Sequence, residues 1–258
     1  MNGNLFIYLS LVSLVCWWIG AFAALKKRRI VMGIFSCVGL FVFASYIAIL
    51  WFSLGRPPLK TMGETRLWYV FFLPLVGLIT YAKKGYIWIP LFSSLMATVF
   101  LSINLLHPEI QSQTLMPALQ SMWFAPHVII YMFAYALMGA SFLVAICLLI
   151  RRTPVSLEEI EICDDITSVG VGVLTLGMLI GAIWAKQAWG DYWSWDPKET
   201  WAAATWLLYL GYLHYRENSK VANKPALWIL IIAFICMQMC WWGINLLPAA
   251  EGMSVHSY

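Results

Sequence analysis

Charge is the scarcest property of this 258-residue chain: only 11% of its residues are Asp, Glu, Lys or Arg. A soluble domain carries about 25%, so a charged shell around one aqueous core is excluded. Histidine is nearly as scarce, with four in the whole chain. Cysteines at functional spacing are missing. Cys16, Cys37, Cys147, Cys236 and Cys240 fall in apolar runs and Cys163 in a loop, and none forms CxxC or CxxCH. This excludes an intrinsic thiol–disulfide site and leaves buried thiols as the reading. HExxH, GxSxG and P-loop motifs are absent as well, which removes the common hydrolase and nucleotide chemistries. No basic patch exists outside the loops between apolar runs, so nucleic acid is not an expected partner. There is no internal repeat, low-complexity tract or separating linker, and the chain reads as a single integral membrane domain, 1–258. The start, MNGNLFIYLS, has no basic n-region and no small-residue cleavage site follows it. That first run is expected to be a retained helix rather than a signal peptide.

What is abundant is apolar: 62% of residues are hydrophobic and mean hydropathy is +0.79. Eight apolar runs stand out, at 5–25, 30–54, 67–82, 86–106, 127–150, 169–185, 201–215 and 226–247. Most approach the roughly 20 residues that a helical crossing needs. The third, sixth and seventh are short and are expected to extend into their aromatic flanks. The fold expected is an all-α polytopic membrane protein with about eight transmembrane helices. Eight crossings put both termini on one side. One set of loops holds eleven basic residues: Lys26, Lys27, Arg28, Arg29, Lys83, Lys84, Arg151, Arg152, Arg216, Lys220 and Lys224. The other holds five: Arg56, Lys60, Arg66, Lys186 and Lys198. The positive-inside rule makes the first set cytoplasmic and places both termini outside, the periplasmic side of a Gram-negative cell. The five minority charges cluster in RPPLKTMGETR and AKQAWGDYWSWDPKE, which suggests use rather than topology. The inner loop 151–168 contains SLEEIEICDDITS, an acidic stretch compatible with a short surface helix, and it reads as a solvated connector.

The remaining chain is arranged around 184–206, WAKQAWGDYWSWDPKETWAAATW, an external segment holding six of the fifteen tryptophans. An interfacial Trp belt is one reading. A belt needs a Trp or two per helix end and has no use for DPKE. A broad aromatic platform interleaved with charges suits a large, flat, apolar ligand that carries ionisable groups. Asp191, Asp196 and Glu199 can be imagined as a metal or acid–base cluster, but Asp196 and Lys198 are expected to fix the loop through hydrogen bonds and helix capping. DPKE has the form of a helix start, with Asp196 at the N-cap and Pro197 at the first helical position.

The histidines sort by side. His127 opens the fifth helix after MWFAPH, and His256 lies in the C-terminal tail. Both fall on the face of the Trp-rich segment. Two imidazoles beside an aromatic platform make a reasonable bis-His haem site, because neutral imidazole is a natural axial ligand for iron. His214, in YLGYLHYR, sits near the inner end of the seventh helix. No second histidine lies at that depth. It either bonds locally or finds a partner in another subunit. His107, in LLHPEI, reads as a structural helix-end residue.

At these residues a resemblance enters. The run WAKQAWGDYWSWDPKETWA resembles the WWD signature of haem-handling membrane proteins, and within them the CcsA family, the WWD-bearing half of the System II cytochrome c synthetase. RPPLKTMGETRLWYVFF, PALQSMWFAPHV and WWGINLL with the terminal HSY are also similar to that family, in order, from about Ile30 onward. CcmC-type proteins share the Trp-rich core, but they have six helices and their motif continues differently after WD. The resemblance implies that His127 and His256 are axial ligands of haem iron. Trp189, Trp193, Trp195 and Asp196 correspond to the haem-cradling platform, and His214 to a transmembrane histidine that receives haem on its way out. It implies haem b as bound ligand and substrate, and a ResB/CcsB-like membrane partner that supplies the second transmembrane histidine. The implied reaction attaches haem through two thioethers to the CxxCH of an apocytochrome c, with the chain as a subunit of a haem lyase. Lys198 or Arg56 offers charge to the haem propionates. Two other readings stand beside it: a haem exporter or chaperone that forms no bonds, and a respiratory subunit holding haem b for electron transfer. The third wants facing ligand pairs inside the bundle, where only His214 lies. The expected location is a multi-pass cell (inner) membrane, with the functional face on the outer side.

Overall fold

The computed structural model describes residues 3–106, 117–151, 154–219 and 224–243. Among the described residues, eight α-helices and one short 3-10 turn make up the regular structure, and no strand occurs. The chain divides into two compact units, Met1–Leu115 and Met116–Tyr258. The first unit holds α1 (Gly3–Leu25), α2 (Arg29–Leu54), α3 (Met62–Lys84) and α4 (Trp88–Leu106). The second holds the 3-10 turn (Pro117–Gln120), α5 (Phe124–Ile150), α6 (Leu157–Trp189), α7 (Pro197–Ser219) and α8 (Lys224–Trp241).

Seven of the helices are long and apolar enough to cross a membrane. The other, α7, runs for 23 residues but carries Lys198, Glu199, His214, Arg216 and Glu217. The chain is a multi-pass membrane protein. Large apolar side chains such as Ile30, Phe41, Phe52, Ile150 and Leu179 are exposed along the helices, as lipid-facing positions must be, since lipid satisfies no polar group.

The short apolar runs do extend. α3 begins five residues earlier than its run, capped by Thr61, whose hydroxyl accepts the Glu64 N–H at 3.2 Å. α7 begins four residues earlier, at Pro197. The largest change is in α6. The acidic stretch read as a solvated connector is the first part of a 33-residue helix, and Cys163 is buried in it rather than in a loop. Ser156 and Glu159 form a capping box at its start, which satisfies two of the backbone donors that a helix end otherwise strands. Ile160, Cys163, Ile166 and Thr167 recur at helical spacing and are buried. The acids are not idle either: both Asp164 oxygens meet the buried Arg216 side chain, at 2.9–3.1 Å, and Oδ1 accepts the Tyr212 hydroxyl at 2.6 Å. The thiols divide differently from the expectation, with Cys16, Cys163 and Cys240 buried and Cys37 exposed.

Each unit is an up-and-down bundle of four helices. In the first, α1 packs mainly on α2 and α3 on α4, and α1–α4 and α2–α3 contacts close the ring. In the second, α5–α6 and α7–α8 are the main pairs, closed by α5–α8 and α6–α7. The α2–α3 loop and the α6–α7 loop therefore occupy equivalent positions within their own bundles. They are also the two places where the minority charges cluster.

Candidate functional site

The α6–α7 loop is built by one carboxylate. Helix α6 ends at Trp189, and Gly190 turns the chain at φ 96°, a left-handed value that disfavours a side chain. Lys186 donates to the Gly190 carbonyl and stands over the Tyr192 ring, 5.3 Å from its centroid. At the far end Asp196 Oδ1 accepts the Glu199 N–H at 3.0 Å. Glu199 Oε2 reaches back to accept the N–H of Ser194 at 2.7 Å and of Asp196 at 3.2 Å. This is a reciprocal cap. It holds the intervening Trp195 at φ 58° with its side chain 69% exposed. A left-handed conformation costs a non-glycine residue about 1–2 kcal/mol, so the loop stabilises a strained, outward-facing indole. The expected helix start at Asp196 and Pro197 is present. Glu199 is the organiser, a role that the sequence reading gives to Asp196 and Lys198.

Around this loop the aromatics form two groups. Trp184, 1% exposed, stacks on the His127 imidazole with ring centroids 5.5 Å apart and planes 25° apart. Trp189 meets Trp184 edge-on at 4.8 Å, and Phe124 packs against Trp184 at 5.2 Å between centroids. In the loop, Trp193 meets Trp195 edge-on at 5.7 Å. The Trp193 indole N–H is buried and has no hydrogen-bond partner among the described residues. A donor so placed suits an acceptor brought by a ligand, since a buried unsatisfied donor otherwise costs stability.

His127 lies in the first turn of α5. Its Nδ1 is 2.9 Å from the Gly177 carbonyl oxygen of α6. A carbonyl only accepts, so the proton of this bond sits on Nδ1 and the lone pair of the neutral ring sits on Nε2. The structure thus brings His127 into the Trp-rich segment, with Tyr131 below it at 4.6 Å between centroids. His256 and His107 lie outside the described residues. His214 does not join them. It is exposed on α7, about 25 Å along the helix from Pro197 at the usual helical rise, and Asn218 contacts its Nε2 at 3.2 Å. Tyr212 and Arg216, on the opposite side of α7, lock that helix to Asp164.

Asp196 is 6% exposed and serves as the cap. Lys198 follows it; burial holds its ammonium below the usual lysine range, opposed by the neighbouring Asp196 carboxylate. Cys240 of α8 donates weakly to the Lys198 carbonyl at 3.4 Å, tying α7 to α8 beneath the loop. Arg56, the other candidate counter-charge, is committed elsewhere: its guanidinium makes two 2.9 Å bonds to the fully buried Glu64. Arg66 likewise donates to Asn104 at 3.0 Å. Among the described residues no group of three His, Cys, Asp or Glu side chains is placed to hold a bare metal ion. One imidazole set in an aromatic wall suits an iron already chelated by a macrocycle.

A family profile described as cytochrome C assembly protein matches residues 3–250. Proteins called cytochrome c biogenesis protein CcsA are similar over most of the chain. That of Oryza sativa subsp. indica is 31% identical over 269 residues, covering 84% of this chain and 83% of its own. That of Mesostigma viride is 31% identical over 281 residues, covering 91% and 89%. That of Hordeum vulgare is 30% identical over 306 residues, covering 99% and 92%. Among solved structures, cytochrome c heme lyase CcmF shares the fold, with a TM-score of 0.67 at 16% identity; 90% of this chain is covered, but only 46% of that one. With the profile spanning nearly the whole chain and relatives of this identity and coverage, the chain belongs to the CcsA family of cytochrome C assembly proteins.

Proposed function

We propose that the chain binds haem b on the external Trp-rich platform, with His127 and His256 as axial ligands of the iron. It then presents the haem for attachment to the CxxCH of an apocytochrome c, in concert with a ResB/CcsB-like membrane protein. The observation that carries this reading is the His127 ring: stacked on buried Trp184, fixed at Nδ1 by the Gly177 carbonyl, and so directing Nε2 as the ligating nitrogen. Such a bond to the non-ligating nitrogen is how metal-binding imidazoles are oriented.

The division of labour follows from the residues. Trp189, Trp193 and Trp195 supply apolar area to the macrocycle. The Trp193 N–H and the Lys198 ammonium are the polar groups suited to propionates. Asp196 acts through the cap that shapes the loop. The chemistry needs no electron transfer: each substrate thiol adds its sulfur to one vinyl carbon and its hydrogen to the other. The thiolate is the reactive species and belongs to the substrate, so the platform orients the vinyls and keeps the iron ligated. His214, exposed on α7 and far from the platform, is the candidate to receive haem from within the membrane against a histidine of the partner. The site then works at the outer, periplasmic face of the inner membrane.

The alternative, a CcmC-like haem exporter or chaperone, shares the binding step and lacks the bond-forming one. The test is covalent haem on a CxxCH reporter in cells producing the chain with its ResB-like partner. The proposal expects heme-stained reporter with wild type and a loss of at least about tenfold with His127→Ala, in keeping with removal of a metal ligand. Haem release to the outside without any CxxCH substrate, with no covalent product when one is supplied, supports the exporter instead.

A further inference from the structure

Glycines Gly177 and Gly181 stand one helical turn apart on α6 and face His127 and Tyr131, one turn apart on α5. A Cβ built on Gly181 would lie 2.5 Å from His127 Cε1 and 2.6 Å from Nδ1. One on Gly177 would lie 2.6 Å from Tyr131 Cδ2. Real Cβ atoms do not approach within 3.0 Å. The obstructing atoms are aromatic ring atoms close to the α5 backbone, so they cannot give way as a flexible chain end can. At Gly170, further along the same helix pair, the nearest atoms met are the terminal methyl and sulfur of Met138, the flexible end of that side chain. The α6 surface thus holds a slot that admits the two rings, and the floor of the slot is bare backbone. Only there can the imidazole come within 2.9 Å of the Gly177 carbonyl. Trp184 then closes the third side of the ring.

We propose that Gly181, together with the Gly177 carbonyl, positions His127, setting its tautomer and its depth so that Nε2 meets the haem iron. This rests on the reading of His127 as an axial ligand. The small residues serve the site rather than helix packing alone, and that distinction can be measured. The full chain, produced with its ResB-like partner, is compared by visible spectroscopy as wild type, His127→Gly, Gly181→Ala, the double variant and Gly172→Ala. Gly172 has nothing within 4 Å of an added Cβ and controls for the extra methyl on the same helix.

Gly181→Ala is expected to lose the six-coordinate spectrum much as His127→Gly does, with haem affinity down roughly 10–100-fold, and added imidazole is expected to restore both. Gly172→Ala is expected to match wild type. In the double variant the ring is gone and the new methyl has room. Its imidazole-restored haem binding is then expected to equal that of His127→Gly within about twofold, the spread of independent effects. If Gly181→Ala does not accumulate, the double variant decides, because the proposal requires it to fold and respond to imidazole. A wild-type spectrum in Gly181→Ala overturns the proposal. So does an equal loss when Gly181→Ala is added to His127→Gly, which would make Gly181 a packing residue only. A wild-type spectrum in His127→Gly overturns something different, the ligand assignment itself.

Discussion

The α2–α3 and α6–α7 loops use the same device for opposite ends. Each precedes the third helix of its bundle, and each is organised by a glutamate three residues past the cap: Glu64 after Thr61, Glu199 after Asp196. Both carboxylates gather backbone N–H groups, Glu64 from Lys60 at 2.6 Å and Glu199 from Ser194 and Asp196. In the first loop the charge is also met by the Arg56 guanidinium, and Trp68 donates to the Pro58 carbonyl at 3.0 Å. Leu59 is buried at the loop's centre. The two terminal nitrogens of Arg56 and both Glu64 oxygens are thus met within that loop. In the second, backbone donors meet the carboxylate while Trp195 is strained and exposed and the Trp193 N–H is left without a partner. The loops differ in the buried ion pair that closes the first and in the strained, exposed indole of the second, and strain of that kind is what the proposed ligand platform accounts for.

The two loops should respond most differently at Arg56. Arg56→Ala strands the buried Glu64 charge and is expected to cost about 3–5 kcal/mol, seen as a large fall in melting temperature in detergent. Haem absorbance per folded molecule should stay unchanged. Removing Glu64 along with it, as Arg56→Met with Glu64→Gln, should return most of the stability, because apolar and neutral replacements of a buried pair are tolerated. Glu199→Ala should cost about 1–3 kcal/mol, the penalty for leaving the Ser194 and Asp196 donors unmet. Here haem binding should fall further than stability does, and Glu199→Gln, which still accepts, should lie between. Asp196→Ala removes one cap bond and should cost about 1 kcal/mol with a smaller loss of haem. Trp195→Gly sharpens the contrast most finely. Relief of the left-handed strain should leave stability unchanged or raise it by up to about 1 kcal/mol, yet haem retention on a desalting column should drop. A variant that lost stability and kept its haem would assign Trp195 to packing.

Much of this could be read from residues alone. The apolar runs marked every helix, and Asp196-Pro197 marked the start of α7, because a cap is a local chemical arrangement. The Trp-rich segment and His127 were legible from composition and order, and the structure places them together. What escaped was tertiary. The stretch 156–168 carries acids and looks solvated, but Asp164 is matched by Arg216, 52 positions away, and no local rule reports that. Arg56 looked available for a ligand because it breaks the charge bias, whereas its partner Glu64 lies across the loop. The Gly177–Gly181 pair has the spacing of a close-packing motif, but only the approach of α5 shows which rings it admits. Trp184 counted as one of six tryptophans in a segment until its stacking on His127 gave it a separate role.

The central claim is that His127 holds haem iron on the platform. The most direct measurement is the visible spectrum of the full chain, purified with its ResB-like partner, as wild type and as His127→Ala, His256→Ala and the double variant, each with and without imidazole. The account expects a six-coordinate haem in wild type, loss of that coordination in each single variant, and its return with imidazole. Haem that stays bound and spectrally unchanged in the double variant would contradict it, and would leave the Trp-rich loop to be understood as an interfacial belt or as the site of a different ligand.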